Sequence, residues 1–314
     1  MFSLCANIGA NTGEILCDVS RGILKKSFIY NDVFGSSQYA DSDTFLAALV
    51  NASKKSKYAS DKLFPLPEVQ DIADKSEANK EGTLGLGFKT VLLEGKPAYE
   101  IKGFAGNALL KQLRKFNNQT IRIFEFDSNN NFWGTKSGTD FMGFKAKVFF
   151  TGGKIATGQN VEEGIVTCTI AFLDTTEYFD NAYYMPITGN ITSVVGLKDV
   201  ELYEAAANAS NAFKIGGRIA TSQIGNYINL QEKYGAELAD DALWVATVVA
   251  TGAALTITSV ANDTTNKRWT VTFDATEFGA LAGGAKIKLN LAAPEVLDAN
   301  DVSGIEGIEF TIDK

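Results

Sequence analysis

The 314-residue chain contains no histidine. Without imidazole there is no Ser-His-Asp triad, no Cys-His dyad and no His-ligated zinc or iron, so enzymology starts from a weak position. Cysteine is scarce as well. Cys5, Cys17 and Cys168 are too few and too far apart for a disulfide framework or a Cys-x-x-Cys metal knuckle. Their odd number suits synthesis in a reducing cytoplasm, and each is expected to be a small buried hydrophobe. Basic side chains are outnumbered, 29 Lys and Arg against 37 Asp and Glu, giving a formal net charge of −8. An acidic chain repels phosphate backbones, so tight binding to nucleic acid is not expected.

Long hydrophobic runs are also missing. The stretch from Met1 to Gly13 has no basic region followed by an apolar run, so no secretory leader is expected and the mature chain should begin at Met1. The longest uncharged stretch, Ala242 to Asn262, is diluted by Thr247, Thr251, Thr256, Thr258 and Ser259. Its Val, Ile, Thr and Trp content suits strands at Leu243 to Ala250 and Ala254 to Ala261, and no membrane span is required.

What is present is a 45% apolar composition, enough to bury a sizeable core, with a mostly strand-like pattern. Alternation predicts strands at Thr120 to Phe126, with Ile121, Ile123 and Glu125 on one side, and at Phe144 to Phe150, Gly164 to Leu173 and Lys267 to Phe273. Two helices are expected. One is capped by Asp41 and Ser42 and carries Phe45, Leu46, Leu49 and Val50 on one face. The other spans about Phe104 to Phe116, with Leu109, Leu110, Leu113 and Phe116 as its apolar stripe. The run Lys54, Lys55 and Lys57 is expected to be a solvated helix end.

The fold class that follows is mainly β: an assembly domain of sandwich or barrel type with one or two flanking helices, then a C-terminal immunoglobulin-like sandwich. The expected domains are 1–189, a connecting segment 190–239, and 240–314, where candidate strands are punctuated by turn residues roughly every 8–12 positions. The segment Phe64 to Gly87 has Pro65 and Pro67, little periodicity and a closing string at Gly82, Gly85 and Gly87. A loop that long has a task, and an arm reaching a neighbouring subunit is the preferred one. The glycine string lacks the Lys-Ser/Thr ending and the strand–helix setting of a phosphate cradle.

No residues emerge as catalytic, cofactor-binding or metal-binding. Asp127, Asn129 and Asn131 occupy the first, third and fifth positions of a calcium loop, but Phe132 stands where glycine is needed and Gly138 where glutamate is needed. A hairpin turn accounts for the same residues. The acidic pairs Glu162 with Glu163, Asp240 with Asp241, and Asp298 with Asp301 have no second catalytic group beside them in sequence. The aromatic group Tyr178, Phe179, Tyr183 and Tyr184 is compatible with core packing, a protein interface or stacking on sugars.

Four phrases carry a resemblance: Cys5-Ala-Asn-Ile-Gly-Ala-Asn-Thr-Gly13, Phe126-Asp-Ser-Asn-Asn-Asn-Phe-Trp-Gly-Thr135, Gly138-Thr-Asp-Phe-Met-Gly-Phe144 and Leu291-Ala-Ala-Pro-Glu-Val-Leu-Asp298. Together they resemble virion structural proteins of tailed bacteriophages infecting Bacteroidetes hosts, above all tail tube proteins with an added C-terminal β-domain. That resemblance implies β-sandwich units with a flanking helix that form homo-oligomers, hexameric rings stacked through long loops around a lumen. DNA would pass through the lumen without specific binding. It implies partners among copies of the chain and other virion proteins, no membrane, no cofactor, no catalytic residue, and location in the virion after synthesis in the host cytoplasm. The chain is longer than the usual tube unit. A major capsid or capsid decoration protein of jelly-roll type, or a carbohydrate-binding adhesin, are the alternatives.

Overall fold

Every second residue of the segment 166–172 is buried, and the computed structural model of the chain shows the strand that this alternation demands. The structure describes residues 21–30, 39, 41–83, 89–103, 110–111, 113–152, 166–220 and 227–314. It divides into two units, one drawn from residues up to Ser53 and Tyr58–Val195, the other from Lys54–Lys57 and Gly196–Lys314.

The first unit carries β1 (Leu24–Tyr30), α1 (Ser42–Lys54), β2 (Leu63–Pro65), β3 (Asp71–Asp74), β4 (Lys80–Thr83), β5 (Lys89–Leu93), β6 (Ala98–Gly103), β7 (Thr120–Asp127), β8 (Asn131–Ser137), β9 (Asp140–Met142), β10 (Phe144–Gly152), β11 (Val166–Phe172) and β12 (Ala182–Pro186). One ten-stranded sheet runs β12-β8-β7-β10-β11-β6-β3, with β1 on β7, β2 on β1 and β9 on β8. Helix α1 starts where Asp41 Oδ1 accepts the Thr44 N–H at 2.7 Å, the cap expected from the sequence. Its Phe45, Leu49 and Ala52 are buried.

Strand β7 is buried on both faces. Ile121 and Ile123 join one core with Ile101, Phe144 and Ile170, while Phe124 and Phe126 join another with Phe45, Leu49 and Phe132. The Phe45 ring meets Phe124, Phe132 and Phe141 edge-on, each at 5.3 Å between centroids. Such pairs contribute about 0.5–1.5 kcal/mol each beyond area burial. Between β9 and β10, Gly143 lies flat against β7: a Cβ there would come within 2.6 Å of the Ile123 carbonyl carbon. Gly138, at φ +62°, turns β8 into β9. These two requirements account for the glycines of the Gly138 to Phe144 phrase.

The segment from Phe64 to Gly87 differs from the single loop expected. It contains β2, β3 and β4, strands of three or four residues, too short to show alternation. Gly85 and Gly87 lie outside the described residues. Of the helix expected from Phe104 to Phe116, Leu110 and Leu113 are described and buried in the core that holds Phe144, and Arg114–Phe116 is a 3-10 turn. Residues 104–109 and 112 lie outside the described set.

The second unit is a two-sheet sandwich built from β13 (Lys198–Ala209), β14 (Ala212–Ala220), β15 (Tyr227–Asn229), β16 (Trp244–Val248), β17 (Ile257–Asp263), β18 (Arg268–Phe273), β19 (Lys286–Leu291), β20 (Ile305–Ile308) and β21 (Phe310–Asp313). The larger sheet runs β17-β18-β14-β13-β20 with β15 on β14, and the smaller runs β16-β19-β21. Between them, Trp269 meets Trp244 edge-on at 5.7 Å. Both indoles are satisfied, Trp269 Nε1 donating to Gly235 O at 3.1 Å and Trp244 Nε1 to Leu238 O at 2.8 Å.

The domain bounds shift accordingly. Residues 190–239 are not a connector, because β13 and β14 supply the middle of the larger sheet and bury Val200, Leu202, Phe213 and Ile215 in its core. The strands expected at Leu243 to Ala250 and Ala254 to Ala261 are present as β16 and β17, but they lie in different sheets; Thr247 of β16 makes an isolated bridge to Ala254, which precedes β17. The lysine run is not a solvated helix end either. Within this unit Lys54 pairs with Asp298 and Lys57 with Asp199, both at 2.9 Å, and buried Glu306 accepts from Ser56 Oγ at 2.7 Å.

Candidate functional site

The calcium-like phrase is a hairpin, with β7 pairing β8 at Phe126 and Phe132 and Asn130 taking a left-handed φ of 62°. Asp127 is buried and holds this turn together. Its Oδ1 accepts from Asn129 N at 2.8 Å and Asn131 N at 2.9 Å; its Oδ2 accepts from Gly22 N at 2.9 Å and Trp133 Nε1 at 2.7 Å. All four partners are donors, so the carboxylate faces hydrogens where a cation would need bare oxygen.

Glu125, on the same strand, shares a face with Ile121 and Ile123 as the alternation predicts, and it is only 5% exposed. Tyr99 Oη donates to its Oε1, and Arg21 Nη1 lies 3.5 Å from its Oε2. The Arg21 guanidinium also donates to Tyr178 O at 3.2 Å and stands over the rings of Tyr178 at 4.2 Å, Trp133 at 4.9 Å and Phe144 at 5.1 Å. Burial pushes the Glu125 carboxyl above its ordinary range, with Arg21 and the Tyr99 hydroxyl pulling the other way. Burial and the Glu125 charge together raise the Tyr99 and Tyr178 phenols. This is an internal ion pair in an aromatic box that fastens the chain entering β1. Nothing in the sequence spacing brings Arg21, Tyr99, Glu125 and Tyr178 together; the one available signal was a glutamate on the apolar face of β7.

Tyr183 and Tyr184 do not form an exposed interface. Neighbours on β12 point to opposite faces, and because both faces are covered, Tyr183 enters the core with Phe45 and Tyr184 the core with Phe144. Of that group only Phe179 stands out, 56% exposed. Cys168 is buried as expected, its thiol pushed up to about 12 by desolvation. Cys5, Cys17, Glu162 and Glu163 lie outside the described residues. Asp240 caps a short turn by accepting from Ala242 N at 3.0 Å, Asp298 holds Lys54, and Asp301 takes a left-handed φ of 62°. Among the described residues no group of three His, Cys, Asp or Glu is placed to hold a metal ion.

Among the described residues, one ribbon of the first unit extends beyond its main sheet. Strands β3 and β6 form a hairpin whose pairing continues past the sheet through Lys75 N to Ala98 O at 2.9 Å and Glu77 N to Lys96 O at 3.0 Å. Beyond that base β4 and β5 pair only with each other among the described strands. On β5, Val91 is 51% and Leu93 57% exposed. Beside this ribbon runs an open groove of about 610 Å³, lined by Val91, Leu93 and Leu173 together with Glu77, Glu94, Lys96 and Asp174. A narrower cavity of about 20 Å³, walled by Leu66, Ile101, Leu113, Phe150 and Cys168, is apolar and too small for a substrate. No protein-family model matches the chain, and neither the curated proteins nor the solved structures hold a match to it.

Proposed function

We propose that the chain is a structural subunit that self-assembles, in the manner of a tail tube protein, into rings stacked as a DNA-conducting tube of a virion. The observation that carries this reading is the β4–β5 ribbon. A two-stranded ribbon is marginal by itself in water, and this one leaves two large aliphatic side chains about half exposed. Val91 and Leu93 are already about half covered, so burying the rest of each against a neighbour would contribute about 1 kcal/mol, and a second subunit that receives the ribbon would stabilise it. The net charge of −8 suits a conduit past which DNA slides without adhering.

Negative-stain electron microscopy of the purified chain is expected to show rings or tubes. Replacing residues 80–93 by a short Gly-Ser turn should leave the thermal transition of the monomer in place and abolish long assemblies. A parent chain that stays monomeric at high concentration, or a shortened chain that polymerises as before, would refute the proposal.

A further inference from the structure

The outer face of the larger sheet in the second unit carries a second, chemically different surface. Strand register places Glu201 opposite Arg218 and Tyr203 opposite Gly216, while Tyr227 and Asn229 of β15 stand opposite Ala220 and Arg218. Directly opposed residues share a face, so Glu201, Tyr203, Arg218, Tyr227 and Asn229 lie on one side of the sheet. Val200, Leu202, Ile215 and Ile219 point into the core on the other.

Gly216 sets the posture of Tyr203. A Cβ on this glycine would fall 2.4 Å from Tyr203 Cζ and 2.7 Å from its Cε2 and Oη, so the ring lies down on bare backbone. One ring face rests on the strand and the other is offered to solvent. Arg218 stands next to it, its guanidinium carbon 4.2 Å from the Tyr227 centroid and 5.7 Å from that of Tyr203. Its Nε donates to Glu201 Oε2 at 2.9 Å, which orients the guanidinium beside the two rings. Tyr203 remains 37% and Tyr227 42% exposed. Two aromatic rings and a planar donor therefore stand side by side on one face, with the Tyr203 ring seated on Gly216, which lowers the ordering cost of binding at that ring.

We propose that Tyr203, Arg218 and Tyr227 form a binding site for a neutral glycan. Glu201 balances the charge of Arg218, so the pair offers no net positive charge to a phosphorylated or nucleic-acid ligand. A neutral pyranose fits what remains. Its electropositive C–H face stacks on the negative faces of the tyrosine rings, and the Arg218–Glu201 pair supplies donors and acceptors for neighbouring hydroxyls.

The test uses the full chain on a glycan array, followed by calorimetry with the cello-, xylo-, manno- and malto-hexaoses. Binding of at least one neutral glycan is expected, with a tyrosine absorbance change on titration. Tyr203→Ala and Tyr227→Ala should each weaken it by about tenfold, while Lys214→Ala, an outward change elsewhere on β14, should not. Gly216→Ala should also weaken binding, because it lifts the Tyr203 ring without removing an aromatic group. Thermal melts keep the reading of each variant separate from folding, and Tyr203→Phe, which preserves the ring, should retain affinity. The proposal is overturned if no neutral glycan on the array binds, or if binding survives the Tyr203→Ala/Tyr227→Ala pair. It is equally overturned if that pair loses self-association and no glycan binding, since the patch would then be a protein interface.

Discussion

Replacing Asp127 by alanine tests the physical account of the first unit most directly. The substitution removes an acceptor group for four N–H donors, two of which, Asn131 N and Trp133 Nε1, are buried. A buried donor left without a partner costs about 1–3 kcal/mol, so these two set a loss of about 2–6 kcal/mol. Gly22 N and Asn129 N are only partly buried and can turn to water, so they add less. Asp127→Asn should behave similarly, because each oxygen serves two donors and either orientation of the amide turns its NH₂ group against N–H hydrogens. For a unit of this size the loss corresponds to a fall on the order of 10 °C in the melting midpoint. Urea and thermal unfolding give the magnitude, and the indole N–H resonance of Trp133 in a ¹⁵N spectrum reports the local bond. The reasoning is refuted if Asp127→Ala unfolds within about 0.5 kcal/mol of the parent and the Trp133 indole resonance stays where it was.

Two further outcomes are expected. Folding raises the pKa of Glu125, so the folded chain holds this proton more tightly than the unfolded one. The group's contribution is fully present below about pH 4.3, the range of an unfolded glutamate, and is lost as the pH rises through the raised value. Glu125→Gln lacks this term, so its stability relative to the parent should improve from pH 4 to pH 7 in urea titrations; a relative decline would contradict the assignment. A fragment covering 240–314 should fail to melt cooperatively, because it lacks Val200, Leu202, Phe213 and Ile215 from the core, whereas 196–314 should give one cooperative transition. A folded 240–314 fragment would show that β13 and β14 are dispensable.

The elements legible in the sequence were those whose burial follows one simple period. Helix α1 announced itself through Asp41 and the Phe45–Leu49 spacing, and β10, β11 and β18 through strict alternation. Strand β13 did not, because its twelve residues alternate only around Val200 and Leu202 before irregularities at Glu204/Ala206 and Ala206/Ala209 interrupt the register. The destinations of Tyr183 and Tyr184 were hidden for another reason: a sheet covered on both faces buries consecutive residues, which mimics no single pattern. The grouping of Arg21 with Glu125 depends on residues 104 positions apart. Local periodicity carries no information about such a pairing.

The parallel pairing of β13 with β20 dictates an order of events during synthesis. Lys198–Glu201 must wait for Ile305–Ile308, the last strand but one, before that end of the sheet is closed. The first unit draws no residue from beyond Val195, so its chain is complete while the second is still emerging from the ribosome. Throughout that interval the start of β13 presents unpaired backbone groups to any strand nearby. A prematurely terminated chain would keep that template open permanently, making residues 305–314 the difference between a closed sheet edge and a seed for misassociation.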